Sequence, residues 1–184
     1  PDYYRMCYWN GTYFAMKDQP PKEQPFLVAL PSVTDLSGER VVVDPNALDR
    51  TGSTSIDFYA PSLDGKYVAV SLSKNGTEDG TLYFYETATG RRLDDAIPGV
   101  NGGTAGGSAA WNADGSGVYY TRYPRQGERP QEELPFYQQI HFHKLGSPLA
   151  EDTYVLGREF PKIAEIELST SPDGRWVLAD VSNG

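Results

Sequence analysis

The stretch Ser62-Leu63-Asp64-Gly65-Lys66-Tyr67-Val68 returns as Asn112-Ala113-Asp114-Gly115 and again as Ser171-Pro172-Asp173-Gly174-Arg175-Trp176-Val177. Each copy places a small polar residue two positions before Asp-Gly. In tight turns Asp bonds its own backbone and Gly accepts a positive φ, so the pattern predicts a turn between two strands. The Asp positions lie 50 and 59 residues apart. Four-stranded propeller blades repeat at about 40 to 50 residues.

Working outward from these turns, apolar runs rich in Val, Tyr, Phe and Thr alternate with turn residues, and helical periodicity is nearly absent. The first group of strands is Tyr3–Tyr8, Thr12–Met16, Phe26–Leu30 and Arg40–Val43, with Asn10-Gly11 as a hairpin turn. A second comprises Ser55–Tyr59, Tyr67–Leu72, Thr81–Tyr85 and a short Arg91-Arg92-Leu93. Ser108–Trp111, Val118–Tyr123, Gln138–His143 and Thr153–Leu156 form the third. Only Ile166–Ser169 and Trp176–Val181 follow. The reading is an all-β chain of four-stranded antiparallel β-propeller blades, about three and a half of them, in one partial domain. The blades are expected over residues 1–50, 51–100 and 101–160, with a half blade over 161–184. One four-stranded sheet cannot cover its own two apolar faces, so each blade must bury them against its neighbours. Pro124–Pro135, polar and rich in Arg, Glu, Gln and Pro, is expected to be an exposed, mobile insertion.

The net charge of −9 would repel phosphate backbones and anionic membrane surfaces, which argues against nucleic-acid and membrane partners. No run approaches the roughly 18 apolar residues of a membrane span. One cysteine, Cys7, precludes an internal disulfide and leaves the compartment open between cytoplasm and periplasm for a soluble chain. The aromatics, 13 Tyr, 3 Trp and 7 Phe, sit at strand positions and not in a basic groove, so they read as packing between blades.

Four sets of residues invite chemistry. Gly106-Gly107-Ser108-Ala109-Ala110 looks like part of a nucleophile elbow, but an elbow turns from a strand into a helix, whereas Ser108 opens a strand. His141 and His143, two apart on one strand, share a face as a metal pair would. A third ligand could come only from carboxylates such as Glu151 or Asp152, so a polar strand face is the expectation. Asp64, Asp114 and Asp173 each lack the alternating oxygen ligands of a calcium loop. Asn10-Gly11-Thr12 and Asn75-Gly76-Thr77 match the glycosylation pattern of a secreted eukaryotic protein but are already explained as Asn-Gly turns. No residue is therefore assigned as catalytic, cofactor-binding or metal-binding, and no cofactor is expected.

The segment Val42-Val43-Asp44-Pro45-Asn46-Ala47-Leu48, followed by Thr51-Gly52-Ser53, Tyr59-Ala60-Pro61-Ser62 and Asp64-Gly65-Lys66-Tyr67, resembles the propeller of prolyl oligopeptidases. Gln24–Leu30, Trp111–Gly115, Tyr119-Tyr120, Tyr123-Pro124 and Ile140–Gly146 extend the resemblance over almost the whole chain in order. It implies a serine peptidase of two domains, in which a seven-bladed propeller covers an α/β-hydrolase domain and admits only short peptides, cleaved after proline. The nucleophilic Ser, the Asp and the His belong to that second domain, downstream in the family. The present chain is then an inactive gating fragment, its partners being the hydrolase domain in cis and, through it, short peptides. Some family members carry a pocket-lining aromatic residue before Trp111, where this sequence has Gly102–Gly107, so no pocket residue is carried over. The competing reading is a stand-alone propeller that binds protein or peptide without catalysis. In either case the half blade leaves an open face and edge, which predicts self-association.

Overall fold

Each Asp-Gly repeat closes through one hydrogen-bond scheme. The computed structural model describes residues 1–102 and 106–184. In it the N–H groups of Gly65, Gly115 and Gly174 donate to the carbonyls of Ser62, Asn112 and Ser171 at 2.9, 3.3 and 2.8 Å. The Asp carboxylates accept from the N–H groups of Lys66, Ser116 and Arg175. The polar residue two before Asp accepts from Tyr67, Gly117 and Trp176, so that Ser62, Asn112 and Ser171 hold the start of the next strand. All three glycines have φ near +70°, a region open to glycine without steric cost.

These turns sit inside four antiparallel sheets, each ordered as its strands follow in the chain. The first holds β1 (Asp2–Trp9), β2 (Thr12–Asp18), β3 (Phe26–Leu30) and β4 (Arg40–Val43). The second holds β5 (Thr54–Pro61), β6 (Tyr67–Lys74), β7 (Thr81–Glu86) and β8 (Arg92–Pro98). The third comprises β9 (Ala109–Trp111), β10 (Gly117–Arg122), β11 (Gln139–Lys144) and β12 (Thr153–Leu156). The last has two strands, β13 (Ala164–Thr170) and β14 (Val177–Asn183).

Period-two alternation on the strands sorts side chains between neighbouring blades. Val68 and Val70 of β6 join Phe14, Met16 and Leu27 of the first blade, while Ala69 between them turns to Trp111, Val118 and Tyr120 of the third. Ala109 and Trp111 face the second blade. Ala110 faces Ile166 and Leu168 of the two-stranded sheet. The core is thus a series of slabs between sheets, as expected for a propeller.

Two elements differ from the sequence reading. The Asp-Pro-Asn-x-Leu segment forms a one-turn helix, α1 (Pro45–Leu48), because the Asp44 carboxylate accepts the Asn46 N–H and Pro45 supplies a preset φ at the first position. Strand β8 runs on to Pro98, well beyond Leu93: the acidic pair Asp94-Asp95 disfavours a strand locally, yet Ile97 is fully buried opposite Leu82 and holds the pairing.

Candidate functional site

The first strands of the last three sheets converge on a cavity of about 460 Å³. Phe58 and Tyr59 of β5, Gly106–Ala109 at the start of β9 and Glu165–Leu168 of β13 line it, with Asp180 and Ser182 of β14. The carboxylates of Glu165, Glu167 and Asp180 give it an acidic wall, and Glu167 stands directly opposite Asp180 across the β13–β14 pair. Like charges so placed repel, which favours a cationic or hydrogen-bond-donating neighbour.

Ser108 lies on this cavity but has no freedom to attack. Its Oγ donates to the Ile166 carbonyl at 2.7 Å and accepts from the Leu168 N–H at 2.8 Å, acting as one backbone unit between β9 and β13. The Thr170 hydroxyl repeats the device on the Trp111 carbonyl at 2.6 Å. Residues 103–105, within the glycine-rich stretch compared above with the family pocket, lie outside the described residues.

His141 and His143 share one face of β11, as their spacing requires, and that face is polar but buried. Its partners come from the adjoining blade and from the residues just before β12. His143 Nδ1 lies 2.6 Å from Asp152 Oδ1, and its Nε2 lies 3.0 Å from Oδ1 of Asp95 on β8. Asp152 also accepts the Tyr120 hydroxyl at 2.6 Å, and Asp95 accepts the Gly146 N–H at 2.6 Å. In a hydrolytic triad the nitrogen opposite Asp would meet a nucleophilic hydroxyl or thiol; here it meets a second carboxylate. The cluster joins the second blade to the third. The two carboxylates approach from opposite sides of the ring, so they do not converge on one cation.

His141 stands beside it, its ring between Tyr120 and Tyr154. Burial, reinforced by the Arg122 guanidinium, pushes its imidazole down to about 4. Arg122 is itself buried and forms two parallel bonds to Glu128, at 2.7 and 2.9 Å. That pairing and the Arg125 N–H hold Glu128 down to about 2. The insertion over Pro124–Pro135 is exposed for most of its length, but it is tied down: Glu128 anchors it to β10, and Arg129 pairs with Glu133 and covers the Tyr137 ring at 3.9 Å. The arginines and glutamates that mark this stretch as polar in the sequence fasten the loop.

Asp64, Asp114 and Asp173 stand singly in their turns, and among the described residues no three His, Cys, Asp or Glu side chains gather as a metal ion would need. Cys7 is half-buried, its Sγ 3.9 Å from the Tyr59 hydroxyl, and burial pushes the thiol up. Asp95 and Tyr120, which complete the buried cluster, carried no sign of that role in the sequence. Only the regular pairing of β10 with β11, Tyr120 opposite His141, could have pointed to the tyrosine.

Compared with known proteins, residues 5–184 match the family model described as prolyl oligopeptidase, N-terminal beta-propeller domain. The chain is 29% identical over 164 residues to prolyl oligopeptidase A of Galerina marginata, covering 80% of this chain and 22% of that protein. It is 26% identical to the prolyl endopeptidase of Elizabethkingia meningoseptica, covering 81% and 21%. A solved structure from a study of two prolyl endopeptidases superposes with a TM-score of 0.82 at 26% identity, over 97% of this chain and 26% of that one. Apo prolyl oligopeptidase B from Galerina marginata, 22% identical over 98% of this chain and 27% of its own, gives 0.76 and supports the fold. The chain spans about a fifth of the length of these curated relatives.

Proposed function

Because the chain belongs to the family of prolyl oligopeptidase N-terminal β-propeller domains, we propose that it is the gating part of a serine peptidase that cleaves short peptides after proline. Its three four-stranded sheets and its two-stranded sheet would be the leading blades of a seven-bladed ring lying against an α/β-hydrolase domain in the same polypeptide. The observation that carries the reading is the cavity formed by the first strands β5, β9 and β13. The first strands of propeller blades surround the central channel, so successive sheets that each bring their first strand to one space build a passage narrow enough to exclude a folded protein. No residue of the chain acts as nucleophile, base or metal ligand in this reading.

The test compares the full-length gene product with the 184-residue chain. The full-length protein is expected to hydrolyse a short proline-containing chromogenic peptide and to react with a serine-directed fluorophosphonate. The isolated chain does neither, for want of a nucleophile and its base. Turnover by the isolated chain that survives purification controls overturns the reading. A coding sequence that continues through further blades and stops without a Gly-x-Ser-x-Gly elbow transfers the case to a stand-alone binding propeller.

The two-stranded sheet would make the isolated chain associate with itself. Trp176 and Leu178 are 64% and 57% exposed beside and on β14, and among the described residues the outer edge of that strand has no partner strand. An uncovered face and an open edge are each templates for association.

A further inference from the structure

Four Asn-Gly pairs occur in the sequence, at Asn10, Asn75, Asn101 and Asn183, and the fold treats them differently. Asn10 occupies a two-residue hairpin between the paired Trp9 and Thr12, and its Nδ2 donates to the Asp64 carbonyl at 3.0 Å. Asn101 is buried, and its Oδ1 accepts the Gly80 N–H at 3.1 Å. Asn183 is held in register with Ala164 at the end of β14. Asn75 is exposed, and among the described residues no hydrogen bond engages its side chain. Its backbone alone is fixed: the Asn75 N–H donates to Ser53, and the Thr77 N–H donates to Lys74 across the turn. A Cβ added at Gly76 would meet nothing within 4 Å, as at Gly11, so both turns are uncrowded and they differ in whether the asparagine side chain is held.

We propose that Asn75-Gly76 is a self-modification site, at which asparagine converts to aspartate and isoaspartate in the folded chain. The Gly76 nitrogen attacks Cγ of Asn75, a C–N bond closes a five-membered imide, and the side-chain nitrogen leaves as ammonia, carrying the proton lost from the Gly76 N–H. Water then opens either imide carbonyl, giving aspartate or, with the chain routed through the side chain, isoaspartate. The step needs a side chain free to swing onto the next nitrogen and a residue there without a Cβ. Asn75 alone among the three internal sites combines exposure with an unheld side chain. The product sets a new carboxylate beside Glu78 and Asp79, and the isoaspartyl form lengthens the backbone of the turn between β6 and β7.

The test is peptide mapping by mass spectrometry of the 184-residue chain, incubated at neutral to mildly alkaline pH, native and in concentrated urea. In the native chain Asn75 is expected to convert at least roughly fivefold faster than Asn10 or Asn101, about the factor that one net hydrogen bond supplies. In urea the three rates converge. In the Asn75→Gln chain the isoaspartate at that peptide disappears while the slow background at the others persists. Conversion of Asn10 or Asn101 as fast as Asn75 in the native chain overturns the proposal, as does a native Asn75 that converts only after urea is added.

Discussion

The hydroxyl of Ser108 stands 2.7 Å from the carbonyl oxygen of Ile166, and with the Leu168 N–H at 2.8 Å it takes the place of a missing ladder rung between the third sheet and the last. A serine that donates and accepts toward two backbone groups is a fastener. Substitution by alanine leaves both backbone groups without their partner at a largely buried junction, where Ile166 and Leu168 are 2% and 7% exposed.

Ser108→Ala is therefore expected to loosen β13 at a cost of roughly 1 to 3 kcal/mol. Hydrogen exchange at the Leu168 amide should accelerate while that of buried β6 amides stays slow. Equal exchange in the two proteins contradicts the assigned role.

His141 makes the chain sensitive to acid. Its imidazole is pushed down from an ordinary value of 6.5 to about 4 in the fold. The unfolded chain takes up the proton first, so the contribution is fully present above about 6.5, falls as pH drops through that window, and is gone below about 4. The loss is up to about 3 kcal/mol. Urea titrations across this range should show a steeper decline for the parent chain than for His141→Phe, whose ring keeps the contacts with Tyr120 and Tyr154. Parallel pH profiles would remove His141 from the account.

Asp95 joins the second blade to the third through His143 and Gly146. Asp95→Ala leaves a buried ring nitrogen and an amide without an acceptor and should cost about 2 kcal/mol or more. Asp95→Asn retains one carbonyl oxygen and should fall between. A melting temperature for the alanine variant equal to that of the parent chain would show the cluster to be dispensable.

The exposed sheet predicts association that depends on concentration. Light scattering on the 184-residue chain should show growth with concentration, and truncation after Gly157, which removes β13 and β14, should lessen it. A cooperatively folded monomer over a wide concentration range counts against it.

The fold was legible because its signals are local. Asp-Gly turns and period-two runs lie within ten residues of one another, and they placed the strands to within a residue or two except at β8, where the burial of Ile97 overrides the acidic residues before it. The buried cluster was not legible, because its members lie far apart in the chain. Asp95 and His143 are 48 residues apart and meet only when two blades pack. The histidine spacing gave the shared face and its polar character but not its burial, since nothing within a strand says which face a neighbouring blade will cover. Arg122 and Glu128 show the same limit at closer range: a strand arginine and a loop glutamate six residues apart meet only when the loop folds back.

Trp111 is 1% exposed, donates its indole N–H to the Ala60 carbonyl at 2.7 Å and stacks on Tyr67, all across the boundary between two blades, while Trp176 stands 64% exposed and Trp9 half-buried. The chain therefore carries its own optical gauge. Parting of the second blade from the third would admit water to one indole and shift its emission to the red, leaving the signal of Trp176 nearly unchanged. With Trp9 and Trp176 replaced by phenylalanine, fluorescence would follow that single joint through unfolding.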